Sequence, residues 1–193
     1  MSGVTAIVLA AGTSSRFGGQ KLLARLGGRP LVRRTVENVL AAGIADIVVV
    51  VGADADRVCA ALDGLPVRFA LNPDYRDGMS ASLRRGIEAL DPASSAALIV
   101  LGDQPAVAPE VMRRVVAAQR ETGKPIAAPV YGGVQGNPVV FAREVFAELG
   151  ALRGDRGGRE VVQRDPARVA LVQVADGMPR DVDTRADLDA LDG

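Results

Sequence analysis

Short, continuous apolar runs alternate along this chain with longer amphipathic ones, and that alternation limits the available folds more than any other feature. Val4 to Ala10, Ile47 to Val51, Val67 to Leu71 and Ala97 to Leu101 are rich in Val, Ile and Leu and bounded by Gly, Asp or Asn. Runs of that length with no polar face suit strands buried on both sides. Between them, Leu31 to Ala42, Ala55 to Leu62, Ser80 to Leu90 and Pro109 to Glu121 repeat their apolar residues at helical spacing. In the first, Leu31, Val32, Val36, Val39 and Leu40 fall on one side, with Arg33, Arg34, Glu37 and Asn38 opposite. Gly43 then stands where a C-terminal cap glycine belongs. The alternation predicts a Rossmann-like, three-layer α/β sandwich on a mostly parallel, doubly wound sheet with right-handed crossovers.

After about Lys124 the pattern loosens. Ile126 to Val130 and Val139 to Phe141 read as strands joined by the Gly-rich stretch Gly132 to Pro138. A helix around Glu144 to Leu149, a charged loop Gly154 to Gly158, a short helix, the strand Val169 to Val174 and a helix from Thr184 follow. The 193 residues contain no linker or repeat and read as one domain, long enough to bury a core. Aromatic residues are 3% and Trp is absent, so that core must be built from Val, Leu, Ile and Ala.

Composition removes whole classes of chemistry. There is no histidine, which excludes Ser-His and Cys-His nucleophiles, His general bases and His metal ligands. The one cysteine, Cys59, excludes an intramolecular disulfide and a Cys-rich metal site, and its apolar surroundings read as packing rather than as a catalytic thiol. Lys plus Arg balance Asp plus Glu at 23 each, so no nucleic-acid or anionic-membrane partner is expected. No spanning segment or cationic leader is evident, and the chain is expected to be cytoplasmic.

In parallel sheets ligands sit beyond the carboxyl ends of the strands, which directs attention to the residues after Ala10, Leu71, Leu101 and Val174. The first of these loops is Leu9-Ala10-Ala11-Gly12-Thr13-Ser14-Ser15-Arg16-Phe17-Gly18-Gly19-Gln20-Lys21. Small residues let backbone N–H groups approach phosphates, hydroxyls add donors, and Arg16 and Lys21 add fixed charge. The loop is neither GxxxxGK[ST] nor GxGxxG, and the alternative is a turn bearing two solvated cations. Asp103, in Gly102-Asp103-Gln104-Pro105, is suited to holding a divalent cation over phosphates or to capping a helix. Asp181 and Asp183, one residue apart on an extended segment, point opposite ways, so at most one faces a shared metal.

These residues resemble a known family. Leu9-Ala10-Ala11-Gly12, with Ser15-Arg16-Phe17-Gly18 and Lys21, resembles the signature loop of the GT-A-like nucleotidyltransferases. Gly102-Asp103-Gln104-Pro105 is similar to their metal-binding strand end, and Asp181-Val182-Asp183-Thr184 to their second metal acid. Asn72-Pro73-Asp74-Tyr75-Arg76-Asp77-Gly78-Met79-Ser80-Ala81-Ser82-Leu83 resembles their base and ribose segment. Ala11, the Gly-Met-Ser-x-Ser-Leu run and the Gly154-Asp155-Arg156-Gly157-Gly158-Arg159 loop resemble the molybdenum cofactor cytidylyltransferases. That branch usually reads Pro-Gly-His-Pro where this chain has Gln135-Gly136-Asn137-Pro138. Asn137 cannot carry charge or coordinate as an imidazole does, and the departure bears on the acceptor more than on the nucleotide.

The resemblance implies a GT-A-type fold with a C-terminal antiparallel element, residues 1–105 binding the NTP and residues 106–193 the acceptor. It implies transfer of CMP from CTP to molybdopterin-bound molybdenum, releasing pyrophosphate, with a molybdoenzyme or its maturation chaperone as a further partner. Arg16 and Lys21 would serve the triphosphate, and Asp103 and Asp183 would hold Mg²⁺ (or Mn²⁺). Leu9, Ala10, Ala11, Gly12, Asn72, Gly78, Ser80, Ser82 and Gly102 would contact the nucleotide. Gly136, Asn137, Arg156 and Arg159 would contact the acceptor. A phosphate nucleophile needs no general base, which accommodates a chain without histidine. The alternatives are a sugar- or polyol-phosphate nucleotidyltransferase, a non-catalytic nucleotide- or cofactor-binding module, and a dinucleotide-binding redox enzyme.

Overall fold

A computed structural model describes residues 3–14, 17–175, 177–179, 182 and 184–192. The first half runs β1 (Val4–Ala10), β2 (Arg25–Leu26), β3 (Arg29–Pro30), α1 (Leu31–Ala41), β4 (Asp46–Val51), α2 (Ala55–Ala61), β5 (Arg68–Leu71), α3 (Met79–Glu88) and β6 (Ala96–Leu101). The second runs α4 (Pro109–Thr122), β7 (Ile126–Tyr131), β8 (Val134–Gln135), β9 (Val139–Ala142), α5 (Phe146–Gly150), α6 (Gly158–Arg164), β10 (Val169–Val174) and α7 (Arg185–Asp192).

The main sheet is ordered β10-β7-β9-β6-β1-β4-β5. β1 pairs in parallel with β4 and β6, β4 with β5, and β7 with β10. β9 runs antiparallel between β6 and β7, which is the antiparallel element expected after Lys124. The fold is thus the single-domain, mostly parallel α/β sandwich read from the sequence.

Pleating divides the apolar side chains between two layers. Ala6, Val8 and Ala10 of β1 pack with Val36 and Val39 of α1, Val58 of α2, and Met112 and Val115 of α4. Ile7 faces the other way, into a cluster with Leu83 of α3, Leu149 of α5 and Val161 of α6. Gly86 lets α3 lie close on the sheet, since a Cβ there would come within 2.4 Å of the Ile7 side chain. α1 ends as expected, with Gly43 at a φ of 82°. A small third cluster joins Phe17, Leu26, Leu31 and Val182 to Leu188 and Leu191 of α7.

Register fixes the working edge. Ala10 lies opposite Val51, Leu9 opposite Leu101, and Val51 opposite Leu71. The loops after β1, β4, β5 and β6 therefore leave the sheet at one level.

Candidate functional site

The loops after β1, β5 and β6, with the start of α3, line an open cavity of roughly 570 Å³. Lys21 and Asp103 meet in its wall. Lys21 begins a single 3-10 turn at the end of the glycine-containing loop, and Asp103 follows β6. The Lys21 Nζ lies 2.6 Å from Asp103 Oδ2, with the two side chains only 16% and 20% exposed. Charges so largely withdrawn from water require each other, or substitutes of the same sign.

The strand ends are braced from below. Gly102 N–H donates to the Leu9 carbonyl at 3.0 Å, and a Cβ on Gly102 would sit 2.9 Å from that oxygen. The buried Thr35 hydroxyl donates to the Gly102 carbonyl at 3.1 Å. Asn38 Nδ2 donates to the carbonyls of Pro105 and Val107, at 2.9 and 3.1 Å. Val182 N–H donates to the Asp103 carbonyl at 3.4 Å, which brings the C-terminal segment to the site.

Gln20 organises the loop after β1. Its Nε2 donates to the carbonyls of Gly12 and Ala53, at 3.1 and 3.2 Å. Its Oε1 accepts from the Ser14 hydroxyl at 2.8 Å and from Leu22 N–H at 3.4 Å. One buried amide thus ties the loop to the start of the 3-10 turn that carries Lys21.

The far wall comes from the segment after β5. Asn72 is buried, donates to the Ser82 hydroxyl at 3.0 Å and accepts from Asp74 N–H at 3.0 Å. Tyr75 packs on Gly52, where a Cβ would come within 2.7 Å of the Tyr75 Cβ. Gly78, at a φ of 96°, lies against the 154–155 backbone, where its Cβ would be 2.5 Å from the Gly154 carbonyl carbon. Only glycine accepts both that conformation and that approach. Asp155 thereby reaches the cavity wall.

Residues 6–169 match the MobA-like NTP transferase domain. The chain belongs to that family. It is 32% identical over 191 residues to nicotine blue oxidoreductase of Paenarthrobacter nicotinovorans, covering 94% of this chain and 92% of that protein. The crystal structure of Rv0371c from Mycobacterium tuberculosis H37Rv superposes with a TM-score of 0.85 at 32% identity, covering 97% of this chain and 96% of that one. Its complex with manganese superposes at 0.81, with 31% identity and the same coverage. A nucleotidyl transferase from Methanothermobacter thermautotroptrophicus does so at 0.81 with 27% identity, covering 99% of this chain and 96% of its own.

Of the residues singled out in the sequence of this MobA-like NTP transferase, Leu9, Ala11, Gly12, Lys21, Gly78, Ser82 and Asp103 line the one cavity. Ala10 and Gly102 lie at the strand ends just beneath it, and Asn72 stands behind Ser82. Ser80 is buried in the first turn of α3, its N–H donating to the Gly154 carbonyl at 3.1 Å. Arg16 and Asp183 lie outside the described residues. Gly136 packs on Tyr131 and Met178, and the Tyr131 hydroxyl donates to the Asn137 carbonyl at 2.9 Å. Tyr131 and Met178 line a separate cavity of roughly 410 Å³ beyond β7 and β10. Burial raises the Tyr131 hydroxyl to about 12, so it stays a neutral donor. Arg156 is exposed and paired with Glu160 at 3.3 Å, and Arg159 is exposed. Cys59 packs against the core, its thiol pushed up by burial and by Asp56. That fits packing, not nucleophilic attack.

Sequence reasoning gave no role to Gln20, Thr35 or Asn38. Thr35 and Asn38 act on partners distant in sequence, and Gln20 joins its own loop to Ala53. Tyr75, Arg76 and Asp155 stood inside recognised segments, but only the folded wall brings them to the cavity.

Among the described residues no group of three Asp, Glu, Cys or His side chains gathers to hold a metal. A small hard cation needs no such cage, since one or two carboxylates, substrate phosphates and water complete its shell. Asp103 fits that arrangement. Its present partner is an ammonium, which a cation would displace and which a triphosphate would then satisfy.

Proposed function

We propose that this protein transfers a nucleoside monophosphate, most favourably CMP from CTP, to a phosphorylated acceptor, most favourably molybdopterin-bound molybdenum, and releases pyrophosphate. The contact between Lys21 and Asp103 in the cavity wall carries this reading. It supplies a cation for phosphate and a carboxylate for a metal at one point. Lys21, with Arg16, neutralises the triphosphate and the charge that develops on pyrophosphate. Asp103, with Asp183, would hold Mg²⁺ or Mn²⁺, which when bound would draw the phosphates together and lower their repulsion to an incoming anion. Backbone N–H groups at Ala11 and Gly12 meet base and phosphate, and Ser82, fixed by Asn72, meets the ribose. Residues 1–105 serve the nucleotide and residues 106–193 the acceptor.

A second reading is favoured by one observation: a relative matched over nearly its whole length is named an oxidoreductase. The same cavity would then take a redox dinucleotide. One experiment separates the two. The purified protein with Mg²⁺ is given each NTP, with and without molybdenum-loaded molybdopterin, and in parallel NADH or NADPH with an oxidised dye. Pyrophosphate formed only with CTP and the pterin supports the first reading. Nicotinamide oxidation without pyrophosphate from any NTP overturns it.

A further inference from the structure

We infer that Arg76 is a phosphate-binding residue of the cavity, on the wall after β5 and apart from the loop that carries Lys21. This rests on the proposed nucleotide site and adds to it a residue that no part of the sequence reading singled out.

Three observations meet at this side chain. Arg76 lines the cavity together with Lys21 and Gly12. Its guanidinium carbon lies 5.1 Å from the centroid of the Tyr75 ring. That ring is fixed in turn, because Tyr75 packs on Gly52 and the turn beneath it is closed by Asn72 accepting from Asp74 N–H. Among the described residues Arg76 makes no hydrogen bond or ion pair, whereas Lys21 is paired with Asp103, Arg85 with Glu88 and Arg156 with Glu160. A guanidinium stacked on a ring keeps its N–H edge free, and that edge matches two phosphate oxygens.

β4 separates β1 from β5, so the two strand ends lie about 10 Å apart at a spacing of about 4.8 Å per strand. Lys21 and Arg76 thus approach a ligand from different sides. The phosphate Arg76 meets belongs either to the nucleotide or to the acceptor, and the chemistry it offers is the same.

The test compares wild type, Arg76→Gln and Arg76→Lys by calorimetric titration with cytidine, CMP and CTP in Mg²⁺. A second series titrates inorganic phosphate into protein saturated with CTP. Loss of one charge-assisted pair at an exposed edge corresponds to roughly a tenfold weakening. Arg76→Gln is expected to bind cytidine as wild type does and to weaken about tenfold either for CMP or CTP, or for inorganic phosphate. The first pattern assigns the nucleotide's phosphates and the second the acceptor's. Arg76→Lys is expected to recover only part of the loss. An equal loss for cytidine, or no change with any probe, overturns the inference. Wild type that binds phosphate but no cytidine nucleotide overturns the proposed CTP function instead. The phosphate series repeated without CTP then judges Arg76, a roughly tenfold weaker phosphate affinity in Arg76→Gln supporting the inference and an unchanged one overturning it.

Discussion

Gln20 spends every polar atom of its side chain on the nucleotide-side loop. Gln20 is nine-tenths buried, while Gly12 is exposed and Ser14 and Ala53 are half-buried, so what its removal costs is mainly the order of the loop. Gln20→Ala removes the tie to the Gly12 and Ala53 carbonyls and is expected to cost about 1–3 kcal/mol. It should also raise the KM for NTP, because Lys21 follows directly on the loosened loop. Chemical denaturation and steady-state kinetics on one preparation check both effects. Nothing in the sequence marks Gln20, since a glutamine beside glycines reads as solvated loop. Lys21 and Asp103 were legible because charge beside glycine and carboxylate at a buried strand end are each unusual. Their pairing across 82 residues was not, because it depends on β1 and β6 being neighbours.

At the scale of elements, strands and helices with long apolar runs were legible to within a residue or two. β1, β4, β6, α1 and α4 have the uninterrupted or 3.6-periodic patterns that sequence displays. By contrast β5, read as buried on both faces, is an edge strand that contains Arg68 and leaves Phe69 and Leu71 exposed, because nothing pairs beyond it in the sheet among the described residues. The hairpin of β2 and β3, and β8, are two residues long each, too short to carry any period. The place of β9 between β6 and β7 is set by pairing across the sheet, which no local pattern records. The contact of the 72–82 segment with the 154–158 loop was equally hidden. It depends on Gly78, whose φ of 96° and close approach to Gly154 exclude a side chain. Gly78→Ala combines a left-handed backbone with overpacking and is expected to cost about 2–4 kcal/mol. Thermal unfolding measures the loss, and a variant as stable as wild type would mean that the two segments do not touch.

Across the whole molecule, two acid–base contacts tie distant parts together. At the amino ends of the strands, burial raises Asp46, but hydrogen bonds from Thr5 and Arg68 and the Arg68 charge overcome it and hold the carboxyl below its ordinary 3.8. The Arg168 guanidinium, donating at 2.7 Å, holds Glu148 below its ordinary 4.5. Both carboxylates bind protons more weakly folded than unfolded. Their contribution is therefore present above the unfolded values and is lost as pH falls through the folded ones. Stability is expected to hold near neutrality and to decline below about pH 4.5, and Asp46→Asn with Glu148→Gln should flatten that decline. Denaturant midpoints taken from pH 7 to pH 3 decide it.

The central claim is that the cavity where Lys21 meets Asp103 is the centre of nucleotidyl transfer. Its most direct test is the rate of pyrophosphate release from CTP, with Mg²⁺ and molybdenum-loaded molybdopterin, by wild type, Lys21→Ala and Asp103→Ala. Folding of each variant is verified by its unfolding transition. The expected result is release by wild type and a loss of at least a hundredfold in each folded variant. Rates near wild type in either folded variant would contradict the claim.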